Sequence, residues 1–184
     1  MRFDQRSDAE LLARHGYRHI NHEPEGRKCE FGPSRNREQQ YADLAAGRRR
    51  LQAMLGNTLD PIFTPPWNRC TDTTVEALES LGIRLLSRDA SAKPLMLRGL
   101  NEVAIHIDWL RRRNGVKIGR AELGLRIAER AGAGAGVGVM LHHADLEEAD
   151  FSALEDLLIL LSHHRKVNCR LLRDMDRERA VAWV

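Results

Sequence analysis

Residues 62–86 read IFTPPWNRCTDTTVEALESLGIRLL, and this stretch decides the fold. Ile62-Phe63 is a short apolar run that predicts a strand, stopped by Pro65-Pro66. Asp72 is placed to cap a helix over Thr73 to Leu81, because Val75, Leu78 and Leu81 recur on one helical face. Gly82 supplies the stop, and Ile83 to Leu86 resumes as a strand. A strand, a helix and a strand within so few residues define a crossover unit, whose two strands run parallel.

The pattern continues outward. Upstream, Ser34 is the expected N-cap of a helix through Tyr41, Leu44, Leu51 and Leu55, ended by Gly56. Downstream, Val103-Ala104-Ile105-His106-Ile107 reads as a third strand and Arg120 to Ala131 as a helix, followed by a flexible glycine run from Gly132 to Gly136. Val137 to Leu141 reads as a strand ending on His142-His143, Asp150 opens a helix through Leu154, Leu157, Leu158 and Leu161, and Val167 to Leu171 is the last strand. The alternation predicts a parallel sheet covered by helices, either open or closed into an incomplete barrel. Such sheets gather functional groups at the C-terminal ends of their strands. Three strand ends carry them here: His142-His143, Pro65-Pro66-Trp67 and Asp108-Trp109. No repeat and no long linker interrupts the chain, so residues 1–184 are expected to form one domain, with residues 1–7 disordered.

Bulk composition narrows the function classes. The 184 residues are 42% hydrophobic, enough for a substantial core. Thirty per cent are charged, yet the net charge is only +3, which is too thin a surplus to argue for nucleic acid. The triplets Arg48-Arg49-Arg50 and Arg111-Arg112-Arg113 read as a solvated helix face and a solvated loop beside the turn at Asn114-Gly115. Cys29, Cys70 and Cys169 are widely spaced, which fits neither a disulfide framework nor a cysteine zinc site, and points to a reducing compartment. The N-terminus lacks the apolar run of a signal peptide, and the longest apolar run, Leu157 to Leu161, is too short to span a bilayer. A cytoplasmic protein with neither nucleic acid nor membrane as partner is expected.

Chemistry centres on the eight histidines. His15 and His19 stand four apart, a spacing that puts two imidazoles on one side of a helical turn, where they can share a metal ion. The bare spacing fits a pair of helix-surface histidines equally well. The neighbouring His22, Asn21, Glu23 and Pro24 describe a loop instead, which favours function. A catalytic zinc takes three protein ligands and leaves one position open. Asp108 and Asp145 are candidates for the third by strand-end position, Asp4 and Asp8 only by proximity in sequence. His142 or His143 is suited to general acid work, since an imidazole exchanges its proton near neutral pH. His163-His164 reads as the cationic end of a helix, and His106 as a packed or hydrogen-bonded strand residue.

Together these pieces resemble the polysaccharide deacetylase (NodB-homology) family. His15-Gly16-Tyr17-Arg18-His19 is similar to its metal-binding motif, with Gly16 where the family has Ser or Thr. Thr64-Pro65-Pro66-Trp67 resembles the proline turn that walls the groove, with Thr64 where an arginine is usual and Arg69 as its substitute. Asp108-Trp109 resembles the end of the fourth motif, whose first aspartate is replaced by Ile105. Val139-Met140-Leu141-His142 resembles the fifth, which carries the general acid. The family's first motif, a pair of aspartates ending the first strand, has no counterpart in the fourteen residues before His15. A shortened N-terminus is the corresponding expectation.

The resemblance implies an incomplete (β/α) barrel and a zinc-dependent hydrolase that removes acetyl groups from N-acetylated carbohydrates or small amides. His15 and His19 would bind the ion, and His142 would protonate the leaving amine. Asp108 would orient a histidine or hold Arg69, while Pro66, Trp67, Arg69 and Trp109 would line the substrate groove. Without the base aspartate, the alternative is an inactive relative that binds sugar or metal. A truncated product that folds poorly is a further alternative.

Overall fold

The computed structural model describes residues 14–142 and 145–175, with the backbone alone at 14, 15 and 57. Asp4, Asp8 and His143, and the expected disorder of residues 1–7, lie outside the described residues. The chain is mixed α/β, with a small parallel sheet and covering helices. It divides into two compact units, Met1–Val103 with Leu172–Val184, and Ala104–Leu171. Among the described residues no helix is long and apolar enough to cross a membrane.

The first unit is built on a four-stranded sheet whose order follows the sequence: β1 (Arg14–His15), β2 (Ile62–Thr64), β3 (Leu85–Asp89) and β4 (Asn101–Ile105). β1 pairs in parallel with β2, setting His15 beside Thr64, and β2 pairs in parallel with β3 through Ile62–Leu85 and Phe63–Leu86. Two helices make the crossovers, α1 (Arg37–Leu55) between β1 and β2, and α2 (Asp72–Ser80) between β2 and β3.

Their caps differ from the expected ones. Asn36, not Ser34, caps α1: its side chain accepts from Gln39 N–H at 2.9 Å, and Gln39 Oε1 accepts from Asn36 N–H at 3.0 Å. Ser34 instead gives its hydroxyl to Glu23, at 2.7 Å. Thr71, not Asp72, caps α2, and the Asp72 carboxylate turns to the N–H of Met96 at 2.7 Å. Both predictions slipped because several polar residues precede each helix, and only the backbone geometry selects which one caps it. Gly82 ends α2 as expected. With φ +69°, it lets its own N–H reach Glu79 O and that of Ile83 reach Leu78 O, each at 3.0 Å.

Phe31, Leu44, Phe63, Val75, Leu78, Leu86 and Leu100 form the first core. Phe31 meets Phe63 edge-on at 5.4 Å, a favoured geometry for two aromatic rings. Each such fully buried side chain contributes about 1.5–3 kcal/mol relative to exposure.

The second unit holds two short strand pairs and two helices. β5 (Ile107–Asp108) pairs in parallel with β8 (Val139–Met140), which spans less than the expected strand over Val137 to Leu141. β6 (Arg112–Arg113) and β7 (Val116–Lys117) form a hairpin across Asn114-Gly115, both residues at positive φ as a two-residue turn demands. α3 (Arg120–Gly132) and α4 (Glu148–His163) complete the unit. Its core is Ile107, Trp109, Ile118, Leu123 and Ile127, with Leu154 and Leu157 packed against it.

Three expectations are corrected in this unit. The single strand expected over Val103 to Ile107 is broken at His106, so that β4 and β5 belong to different sheets. His106 Nδ1 accepts the N–H of Gly138 at 3.0 Å, while the His106 N–H donates to Gly138 O at 2.9 Å. Gly138 must be glycine there, because a Cβ would lie 2.3 Å from the Ala104 carbonyl oxygen. The strand expected over Val167 to Leu171 does not form: the segment is irregular, and Asn168, Cys169 and Arg170 are exposed. Asp150 lies within α4 rather than opening it. Glu147 is the N-cap, and Asp150 closes a reciprocal box by accepting Glu147 N–H at 3.0 Å.

Candidate functional site

In the first unit, two loops leave the C-terminal ends of adjacent parallel strands. His15 is the last residue of β1, and the chain turns at Gly16 (φ +69°) into Tyr17, Arg18 and His19. The pair therefore does not lie on a helical turn, contrary to the spacing argument: it spans a strand end and a left-handed residue, His19, at φ +57°. Beside it, Thr64 ends β2, and Pro65-Pro66-Trp67-Asn68 forms a tight turn with Trp67 and Asn68 at φ +55° and +58°. Non-glycine residues in this region cost of order 1–3 kcal/mol each and persist only where their surroundings hold them. Three of the four among the described residues sit on these two loops.

The loops are tied together through their side chains. The His19 ring lies 4.3 Å from that of Trp67, tilted by 50°. Pro66 is buried under Gly16, where a Cβ would approach its Cγ to 2.5 Å. The Arg69 guanidinium donates to the Lys28 carbonyl at 2.8 Å, and the Arg69 carbonyl accepts from Cys29 Sγ at 3.4 Å. Arg69 thus ties the proline turn to the segment around Cys29.

That segment contains the residue the sequence reading missed. Glu30 is fully buried, and its carboxylate accepts from three consecutive N–H groups: Tyr17 at 3.2 Å, Arg18 at 2.7 Å and His19 at 3.2 Å. The only trace of it in sequence is a lone acid between apolar neighbours, Cys29 and Phe31. Around it, Asn21 Oδ1 accepts from Glu23 N–H at 3.1 Å and from Cys29 N–H at 2.9 Å, while His22 N–H donates to Cys29 O at 3.0 Å.

The donor set bears on a metal ion. Two imidazoles suit a borderline cation such as zinc. Glu30 is no third ligand, because both its oxygens are taken by backbone N–H groups. Burial raises the Cys29 thiol and pushes that of Cys70 up to about 12, so neither offers a thiolate near neutral pH. Among the described side chains, which do not include that of His15, no three His, Cys, Asp or Glu residues gather closely enough to hold an ion.

The second unit has a site of its own. β5 and β8 bring Asp108 and His142 together at their C-terminal ends, with His142 Nε2 at 3.5 Å from Asp108 Oδ1. The same carboxylate oxygen accepts from Leu110 N–H at 3.0 Å, which fixes it toward the imidazole. Asp108, Leu110, Arg112, His142 and Asp145 line an open cleft of about 470 Å³, a size suited to a small ligand. The Asp145 N–H donates to His142 O at 2.8 Å.

Trp109 does not line this cleft. It is buried in the second core, donates weakly to Asp150 O at 3.4 Å, and carries the Arg120 guanidinium 4.5 Å over its ring. His163, at the end of α4, has Nδ1 2.8 Å from Ile159 O, a local contact of the helix terminus.

The chain matches no family model, and no curated protein matches it.

Proposed function

We propose that the protein is a metal-dependent hydrolase of the polysaccharide deacetylase (NodB-homology) type, built as an incomplete (β/α) barrel and acting on N-acetylated carbohydrates or related small amides. One observation carries this reading. The histidine loop and the proline turn leave neighbouring parallel strands at the same end, with His19 packed on Trp67. Two motifs far apart in sequence thus form one wall, as a strand-end site requires.

His15 and His19 would hold the ion, most simply zinc. A divalent ion there supplies Lewis acidity to an acyl oxygen. Trp67 gives the wall an apolar ring against which a sugar can lie. In the second unit, His142 beside Asp108 is the residue that the resemblance makes the proton donor, and Arg112 and Asp145 give its own cleft hydrogen-bonding groups. A second reading, a binding module without turnover, is favoured by Glu30, the acid nearest the histidine loop, being fully engaged by N–H groups.

Zinc titration of the purified protein tests the metal assignment. Binding of one equivalent should be lost in both His15→Ala and His19→Ala, and binding that survives both removes it. Release of acetate from chitin oligosaccharides separates the two readings. Turnover that falls at least about 100-fold in His142→Ala supports the hydrolase and its general acid, whereas oligosaccharide binding with no acetate released by the parent protein supports the module.

A further inference from the structure

We propose that Glu30 is the positioning residue of the His15–His19 loop, which it sets by gathering the backbone between the two histidines onto one buried carboxylate. The geometry stands by itself; its consequence for zinc rests on the metal reading given above. Successive N–H groups in a turn form a concavity that binds anions. Here the anion comes from the chain itself. Arg18 N–H meets Oε1 at 2.7 Å, His19 N–H meets Oε2 at 3.2 Å, and Tyr17 N–H is shared between them at 3.2 and 3.3 Å.

The carboxylate is a rigid anchor. Glu30 is wholly buried between Cys29, whose N–H is held by Asn21, and Phe31, which fills the core and bridges to Cys70. The loop in turn is shaped to reach it. His19 adopts φ +57°, a conformation that costs a non-glycine residue energy, while its N–H meets Oε2. Gly16 is glycine for the same reason, since a Cβ would stand 2.3 Å from Oε2. The three caged amides are those of Tyr17, Arg18 and His19, the last three residues of the span from His15 to His19. Where the carboxylate sits therefore sets where the His19 ring emerges against Trp67. Groups that orient metal-binding histidines without touching the ion typically change metal affinity 10–100-fold when replaced.

Glu30→Gln tests this, since it keeps the side chain's shape and replaces one acceptor oxygen by an amide that faces N–H donors. In metal-free protein, amide exchange at Tyr17, Arg18 and His19 should accelerate at least about 10-fold, with α2 amides unchanged. Zinc affinity, measured by competition with a chromophoric chelator, should fall about 10–100-fold in the folded variant. Glu30→Asp, which retains the carboxylate, should recover part of both. If Glu30→Gln does not fold, Gly16→Ala displaces the loop from an intact carboxylate and should give the same two changes. Parental exchange rates in these variants overturn the proposal, as does faster exchange with zinc affinity unchanged, which would mark a purely structural bond. A parent that takes up no zinc removes the metal reading. The exchange pattern then still decides, for or against, whether Glu30 sets this loop.

Discussion

Gly16 and Gly138 show how much a single hydrogen atom in place of a Cβ can carry. At Gly16 the backbone is left-handed and the space is already filled by Glu30 and Pro66. Gly16→Ala should cost about 2–4 kcal/mol in chemical denaturation, from the left-handed conformation together with overpacking. At Gly138 the φ is ordinary and only the Ala104 carbonyl stands in the way, so Gly138→Ala should cost about 1–3 kcal/mol. The family resemblance placed Ser or Thr at the position of Gly16. The close approach of a buried carboxylate explains why this chain cannot follow.

At the scale of elements, caps and one buried acid dominate. Asn36→Ala should lower stability by about 1 kcal/mol, the usual worth of an N-cap, and Ser34→Ala should not reproduce this through α1. Asp150 is 3% exposed and joins three elements: it accepts Glu147 N–H within α4, Lys117 Nζ of β7 at 2.9 Å, and the Arg120 guanidinium of α3. The Glu147 N–H, followed by Lys117 and Arg120, holds its carboxyl at about 2, below the ordinary 3.8. A depressed carboxyl stabilises the fold in its ionised form. Its contribution is complete above about pH 4 and is lost as pH falls through about 2. Amide protection of α4 should decline across that window, and in Asp150→Asn the decline should be absent and protection already lower at neutral pH. Along the same helix, Leu158, Ile159 and Leu160 are half exposed or more, whereas Leu154 and Leu157 pack on the second core. Ile159→Gln should therefore change unfolding free energy by no more than about 0.5 kcal/mol, and Leu157→Ala by clearly more.

For the whole molecule, the relevant fact is that each unit has its own core. Phe63 is fully buried in the first and Trp109 nearly so in the second. Phe63→Ala should cost about 3–5 kcal/mol, read from amide exchange of β2 and β3, and Trp109→Ala a similar amount, read from β5 and β8. The Trp109 result also bears on the site. An aromatic platform for sugar would leave folding nearly unchanged when removed, whereas a packed indole under Arg120 would not.

The sequence by itself determined the mixed α/β class, with a parallel sheet and covering helices. Helix periodicity at Val75 and Leu78, the Gly82 stop and the β-branched run after Val103 are local signals, written in neighbours along the chain. It also singled out His15 and His19 by their spacing, and Asp108 and His142 by their place at strand ends. Tertiary structure alone decided which polar residue caps each helix, that the strand through His106 divides between two sheets, and that Trp109 is packed while Trp67 is partly exposed. It alone revealed Glu30, whose partners lie eleven to thirteen residues away and are backbone N–H groups that look the same at every position. Periodicity reports which side of an element meets the core. It holds no record of what a buried acid will find once the chain has folded over it.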